Sequence, residues 1–312
     1  MNRTRIAVIG VGHLGQHHAR LLAAMPQVDL VAVVDTDPER GVQIAAKCGT
    51  SAFADTLTLV GNVDAAIIAT PTTCHVEMAL PFIEAGAAVL VEKPLAASVA
   101  EADRLVAAAA ARGTLLATGH TERFNPAVTA ASPLVAHPRF IEIHRLGTFP
   151  DRSLDIDVIF DLMIHDIDVL LAVVGVEVTS VEAVGVNVLT PRVDIANARL
   201  RFASGCIANV TASRISRDRV RKARFFQHDS YVSIDYAEQE VEAYQLLSED
   251  GSRPAIRGGR IEVTRDEPLR LELADFVDAI REDRPPMVTG RDGRAALALA
   301  TQVSELISKG AA

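Results

Sequence analysis

The sequence predicts an α/β protein in two parts. A doubly wound parallel sheet over residues 1–121 is followed by an α+β domain over 122–312, built on an open, mostly antiparallel sheet. Three observations predict this. Apolar runs without alternation recur through the first third and take turns with helix-like stretches, as happens when helices cover both faces of a parallel sheet. A glycine-rich turn directly follows the first of these runs. After about Gly119 the texture changes to strands with two-residue alternation joined by short polar turns.

The expected strands of the first part are Arg5–Ile9, Leu30–Val34, Ala65–Ala69, Ala87–Val91 and Leu115–Thr118, with helices near His13–Met25, Pro38–Cys48, His75–Ala85 and Ser98–Arg112. Such repeated βα units place a ligand at the carboxyl ends of the strands. In the second part a helix is expected near Val158–Val174. It is followed by strands Ser180–Val188, Asn197–Phe202, Ile207–Ser213, Arg224–Asp235 and Val241–Leu247. Asp250–Pro254 reads as an exposed loop, and helices over about Leu269–Glu282 and Gly293–Ser308 close the chain.

Bulk properties narrow the function classes. The 312 residues are 49% hydrophobic and 23% charged, an ordinary soluble composition. A net charge of −9 argues against nucleic acid as the main partner, which would demand a broad basic surface. Three dispersed cysteines, Cys48, Cys74 and Cys206, suit a reducing compartment better than a disulfide framework or a zinc site. No leader-like segment precedes the first strand, and no apolar stretch approaches bilayer length, so a cytoplasmic protein without membrane insertion is expected.

The turn is Gly10-Val11-Gly12-His13-Leu14-Gly15, and the next strand ends on Asp35, twenty residues past Gly15. A lone G-x-G-x-x-G could be a turn in a protein that binds no nucleotide. Strand, glycines, helix, strand and acid in this order make the dinucleotide fingerprint of a Rossmann domain. Gly10 permits the turn, Gly12 lets backbone approach a pyrophosphate, and Gly15 lets helix pack on strand. The helix start, with His13 and Leu14, offers N–H groups to the phosphates. Asp35 would accept hydrogen bonds from the adenosine ribose, and the residues after it (Thr36, Asp37, Pro38) include no arginine. The expected cofactor is therefore NAD rather than NADP.

Several other groups could carry chemistry. Glu92-Lys93-Pro94 ends a strand at the ligand-binding edge. The Lys93 ammonium there could stabilise a developing alkoxide, or be a surface lysine at a strand end. Thr70, Pro71, Thr72 and His75 leave another strand at the same edge, and could border the nicotinamide ribose or form a turn and helix cap. Asp161, His165 and Asp168 fall at i, i+4 and i+7, one face of a helix that is otherwise apolar. A histidine with a solution pKa of about 6.5 suits a general base, and a carboxylate would orient it. The same set also fits a structural His–Asp pair with Asp161 as a cap; for a metal site it is a weak donor set, and no metal is expected. His120, Glu122, Arg123 and Asn125 form a dense polar set where the first part ends. Arg214 to Arg224 carries six basic residues in eleven, including Arg214 and Arg217. It could grip a substrate diphosphate or protect a strand edge.

These features together resemble the Gfo/Idh/MocA oxidoreductase family over essentially the whole chain. The resemblance rests on the glycine loop, Thr-Pro-Thr-Thr-x-His at 70–75, Glu92-Lys93-Pro94 and Asp161-x-x-x-His165-x-x-Asp168. It implies that Lys93 and His165 act in catalysis with Asp161, that Glu92 and the 70–75 turn adjoin NAD, and that the second sheet forms homodimer or homotetramer contacts. One departure is Met163-Ile164, where many members carry glycine before the histidine. The segments 119–126, 157–166 and 213–217 further resemble the branch that oxidises nucleotide sugars. That resemblance implies a nucleotide-sugar substrate held by His120, Glu122, Arg123, Asn125, Asp168, Arg214 and Arg217, and a 3-keto sugar product for amination in a variant lipid A pathway. Oxidation of another sugar, an inositol or a UDP-uronic acid uses the same chemistry, and a non-catalytic NAD-binding sensor would keep the fold alone.

Overall fold

Six strands of the first unit lie parallel in the order β3-β2-β1-β4-β5-β6. The structure, a computed structural model, describes residues 3–149, 156–247 and 255–310. Strands β1 (Thr4–Ile9), β2 (Val28–Val34), β3 (Ser51–Phe53), β4 (Ala65–Ile68), β5 (Ala88–Glu92) and β6 (Leu116–Gly119) alternate with helices α1 (Gly15–Ala24), α2 (Pro38–Cys48), α3 (His75–Glu84) and α4 (Val99–Arg112). The strand order reverses between β1 and β4, the switch point at which such sheets open a ligand crevice.

Local chemistry explains the helix limits. Asp37 caps α2 by accepting from the N–H groups of Glu39 and Arg40, and Pro38 fills its first turn. Ser98 caps α4 through Glu101 N–H while the Glu101 carboxylate reaches back to Ala97 N–H, a reciprocal capping box. Ile6, Val8, Leu22, Val33, Ile67 and Leu90 are buried in one core cluster. The three-residue edge strand β3 was not expected, because Ser51–Phe53 is exposed and too short for an apolar run.

The second sheet has eight strands in the order β14-β13-β12-β11-β7-β10-β9-β8. In chain order the second unit contains α5 (Pro126–Ala131), β7 (Phe140–Leu146), a π-helical turn over Ile159–Met163 leading into α6 (Ile164–Val174), and β8 (Val178–Val186). Then come β9 (Ile195–Phe202), β10 (Ile207–Ser213), β11 (Val220–Phe226), β12 (Ser230–Asp235), β13 (Glu240–Leu247) and β14 (Ala255–Ile261). All pairings are antiparallel except β7 with β10.

Three differences from the sequence expectation have physical causes. Arg224–Asp235 is two strands rather than one, because Gln227 and Ser230 close a turn between them. No strand was expected at β7, although Phe140–Leu146 alternates: the inward positions are Ile141, Ile143 and a charged Arg145, which interrupts the apolar signal. The chain after residue 121 is not all one unit. Helix α7 (Pro268–Glu282) and the first part of α8 (Gly290–Gly310) cluster with the first unit over Leu269–Leu297, and Leu273, Phe276 and Val277 join its core. The loop expected at Asp250–Pro254 lies outside the described residues. No described helix is long and apolar enough to cross a membrane.

Candidate active site

The glycine turn after β1 has the shape of a dinucleotide cradle. Gly10 adopts φ +85°, and a Cβ there would lie 2.7 Å from Ala69 O. A Cβ on Gly15 would lie 1.8 Å from Gly10 O, so only glycine lets α1 pack this closely. Around Gly12 nothing stands within 4 Å of a built Cβ, which leaves open space for a ligand. Helix α1 starts without a side-chain cap, and His13 and Leu14 are exposed beside it. An uncapped helix start next to an open glycine suits a pyrophosphate.

At the end of β2 the Asp35 carboxylate is buried and fully engaged. Its Oδ2 accepts from Val11 N–H at 2.9 Å and Arg40 Nε at 3.0 Å, and its Oδ1 from Asp37 N–H at 2.9 Å and Arg40 Nη2 at 2.6 Å. Burial alone would raise its pKa, but the Arg40 bond and the two backbone donors hold it below the ordinary value. The sequence showed no arginine in the three residues after Asp35. One turn into α2, Arg40 reaches it all the same.

Glu92, at the end of β5, is buried between His18 and the following backbone. His18 Nε2 lies 2.7 Å from Oε1, and Lys93 N–H donates to Oε2 at 3.2 Å. Burial pushes the Glu92 carboxyl up, while the His18 bond and charge and the Lys93 charge bring it below its usual value. Lys93 itself is half-buried beside Pro94. His75, expected to border the cofactor, is 1% exposed, with Nδ1 2.9 Å from Pro94 O and Nε2 3.0 Å from Thr70 O. Burial lowers its pKa despite these bonds. It ties the 70–75 turn to the Glu92–Pro94 turn, so it positions the site rather than offering itself to a ligand. Pro71 is exposed and Thr72 half-buried, and Thr70 Oγ1 is buried without a hydrogen-bond partner. An orphaned hydroxyl at the carboxyl edge of β4 is the kind of donor a bound ligand satisfies. The open glycine, the uncapped helix, this hydroxyl and the Asp35 carboxylate are a donor and acceptor set that fits NAD.

In the second unit the π-helical turn changes the expected face. Ile164 N–H reaches back five residues to Ile159 O, so Asp161, inside the turn, does not keep α-helical phase with His165. Asp161 and His165 are half-buried, and Asp168 is 2% exposed. Arg123 Nη1 lies 3.5 Å from Asp168 Oδ1, so two residues expected to hold substrate meet each other. Asn125, also expected there, is consumed structurally: it caps α5 through Ala127 N–H at 3.0 Å and donates to Tyr236 O at 3.0 Å. His120, the last residue of the first unit, is fully buried.

A buried polar cluster forms around Asp166, the neighbour of His165. Arg145 donates to both Asp166 oxygens at 2.8 Å and to Glu122 Oε2 at 2.7 Å, with its guanidinium 5.3 Å from the Tyr236 ring centroid. Burial would lower the Arg145 pKa, but the two carboxylates raise it well above its usual value. Burial raises both Asp166 and Tyr236. Sequence reading missed Arg145 as a site-supporting residue; the signal was a charge at an inward position of an alternating strand.

The basic segment separates into three roles. Arg214 is 1% exposed and binds Asp194 Oδ1 at 2.9 Å, Ile156 O at 2.6 Å and Thr190 Oγ1 at 3.0 Å. Asp194 in turn accepts from the N–H groups of Val188, Leu189 and Thr190. Burial opposes ionisation of Asp194, but these donors hold its pKa far below the ordinary value. Arg214 is thus an internal anchor, not the phosphate-gripping residue expected. Lys222 and Arg224 pair across the sheet with Asp235 and Glu142. Because β11 is interior to the sheet, edge protection does not explain them. Arg217 remains exposed.

Comparison with known proteins agrees with this geometry. Residues 4–120 match the Gfo/Idh/MocA oxidoreductase family, NAD-binding Rossmann fold, and residues 136–228 match the Gfo/Idh/MocA C-terminal domain. The chain is 40% identical to UDP-N-acetylglucosamine 3-dehydrogenase of Acidithiobacillus ferrooxidans over 307 residues, 97% of each chain. A solved structure of that enzyme superposes with a TM-score of 0.92 at 38% identity, covering 99% of both chains. The scyllo-inositol 2-dehydrogenase (NAD(+)) of Bacillus subtilis is 28% identical, over 93% of this chain and 90% of its own. The chain belongs to the Gfo/Idh/MocA oxidoreductase family, as an NAD-dependent enzyme whose first unit is the Rossmann domain.

Proposed function

We propose that the chain oxidises a sugar ring hydroxyl to a ketone, with UDP-N-acetylglucosamine as substrate and its 3-hydroxyl as the group oxidised. The observation that carries this reading is the end-to-end similarity to an enzyme of that name, in sequence and in fold. The segments 119–126, 157–166 and 213–217 support it further. The 3-keto product would be suited to amination in a variant lipid A pathway.

In this reading His165 takes the hydroxyl proton, and its position on the first turn of α6 is held from behind by Asp166 on Arg145. Lys93 stabilises the alkoxide oxygen that results, because an ammonium in a partly dry site interacts strongly with developing negative charge. Asp161 is proposed to orient His165 on the family resemblance alone, since the π-helical turn takes it out of α-helical phase with the histidine. When bound, NAD supplies the hydride acceptor; Gly10, Gly12, Gly15, Asp35, Thr70 and Glu92 are the residues proposed to hold or border it. Arg123, Glu122, Asp168 and the exposed Arg217 are the remaining candidates for substrate recognition.

The protein is further proposed to be a cytoplasmic homodimer or homotetramer joined through the second sheet. One face of that sheet carries a ladder of half-exposed rings, Phe140, Phe226, Tyr231 and Tyr244, with centroids 5.7, 5.2 and 6.3 Å apart. A second substrate reading, an inositol, follows from the full-length similarity to scyllo-inositol 2-dehydrogenase. Mass spectrometry of the product formed from NAD and UDP-N-acetylglucosamine, drawn forward by a coupled aminotransferase, separates the two. An oxidised or aminated UDP-sugar is expected; turnover of inositols with none of the UDP-sugar would favour the second reading.

A further inference from the structure

We propose that Arg40 is a displaceable occupant of the adenosine-ribose site and thereby a determinant of how strongly that site reads the ribose diol. The argument starts from the valence of one carboxylate. Ionised, it offers about four acceptor positions, two on each oxygen. At Asp35 all four are used: Val11 N–H and Arg40 Nε on Oδ2, Asp37 N–H and Arg40 Nη2 on Oδ1. The two backbone donors belong to the glycine turn and to the start of α2, so they are fixed by the fold. The two guanidinium bonds are not. Arg40 has a side chain 43% exposed, against 4% for Asp35, and a second acid, Asp37, lies near it with Oδ2 at 3.4 Å.

A ribose diol donating to Asp35 needs one position on each oxygen, the same two that Arg40 holds. The diol and the guanidinium therefore compete for one carboxylate, and Arg40 moves off when the dinucleotide binds. The guanidinium side of this ion pair is half-exposed and can turn to water when the diol arrives, yet giving up its two bonds subtracts from the net gain of each ribose hydroxyl. It also means that Asp35 does not stand as a bare negative charge before binding.

The test is calorimetric titration of the full-length protein with ADP and with 2′-deoxy-ADP, which lacks one of the competing hydroxyls. In the wild type the preference for ADP should be small, because the missing hydroxyl leaves Arg40 part of its hold. In Arg40→Ala the preference should widen by about fivefold, the worth of one net hydrogen bond. Arg40→Met, which keeps the apolar stem and removes the charge, should widen it equally and so separates competition from lost bulk. A preference that is unchanged or narrower in both variants would overturn the proposal. Both variants keep the α2 cap, since the group that donates to Asp37 Oδ1 is the backbone N–H of residue 40.

Discussion

Arg145 and Asp166 meet as a two-pronged pair inside the second unit, Nε to Oδ2 and Nη2 to Oδ1, each at 2.8 Å. The strand β7 and the helix α6 are joined by these bonds at side chains that are 5% and 0% exposed. Because Asp166 follows His165 directly, the pair fixes the first turn of the helix that presents the histidine.

Breaking that pair leaves a buried charge without its partner, which typically costs about 3–5 kcal/mol. Arg145→Ala is expected to lose stability of this order in urea unfolding. Arg145→Met with Asp166→Leu should recover much of it, since both buried charges are removed together and Glu122, with a side chain 16% exposed, can turn to water. A double variant as unstable as the single one would refute the account.

Gly12 and Gly15 should fail in different ways. Gly15→Ala forces a Cβ against Gly10 O and is expected to destabilise the first unit by about 1–3 kcal/mol, read as a lower Tm. Gly12→Ala meets no atom of the protein, so its Tm should stay at the wild-type value while NAD affinity falls. Equal Tm losses in the two would contradict the cradle geometry.

Arg214 and Arg217 separate structure from recognition. Arg214→Ala removes the guanidinium that holds Asp194, Thr190 and Ile156, and should cost about 3–5 kcal/mol of stability. Arg217→Ala should leave Tm unchanged, and raise the KM for a UDP-sugar if this exposed cation meets the diphosphate. Steady-state kinetics beside a thermal melt read both outcomes.

His165→Ala is expected to lower turnover by about 10²–10⁴-fold, the usual worth of a general base, with NAD binding retained. Turnover at the wild-type rate would remove His165 from the proton-transfer role.

The His18–Glu92 contact sets an acid limit on stability. Glu92 is held below its ordinary value of 4.5, so its contribution is complete above that pH and is lost as pH falls through the lower folded value. The Tm of the wild type should therefore decline below about pH 4.5, and Glu92→Gln should show a shallower decline over the same range. Parallel acid limbs for the two proteins would show that Glu92 contributes nothing there.

The sequence by itself determined the first unit nearly strand by strand, because continuous apolar runs, glycine turns and helix caps are short-range signals. It likewise carried the glycine turn at Gly10–Gly15 and the positions of Lys93 and His165, the residues proposed for the chemistry. Only the tertiary structure decided the fate of the charged residues. Arg214 reads as one of six cations within eleven residues until sheet register carries it to Asp194, twenty positions away. Arg145 reads as an interruption until β7 lies against α6, and Asp35 reads as a bare acid until α2 turns Arg40 back onto it. Periodicity depends on neighbours along the chain, whereas the partner of a buried charge depends on which elements pack together. That is why the cradle was legible at the first glycines and its guarding arginine was not.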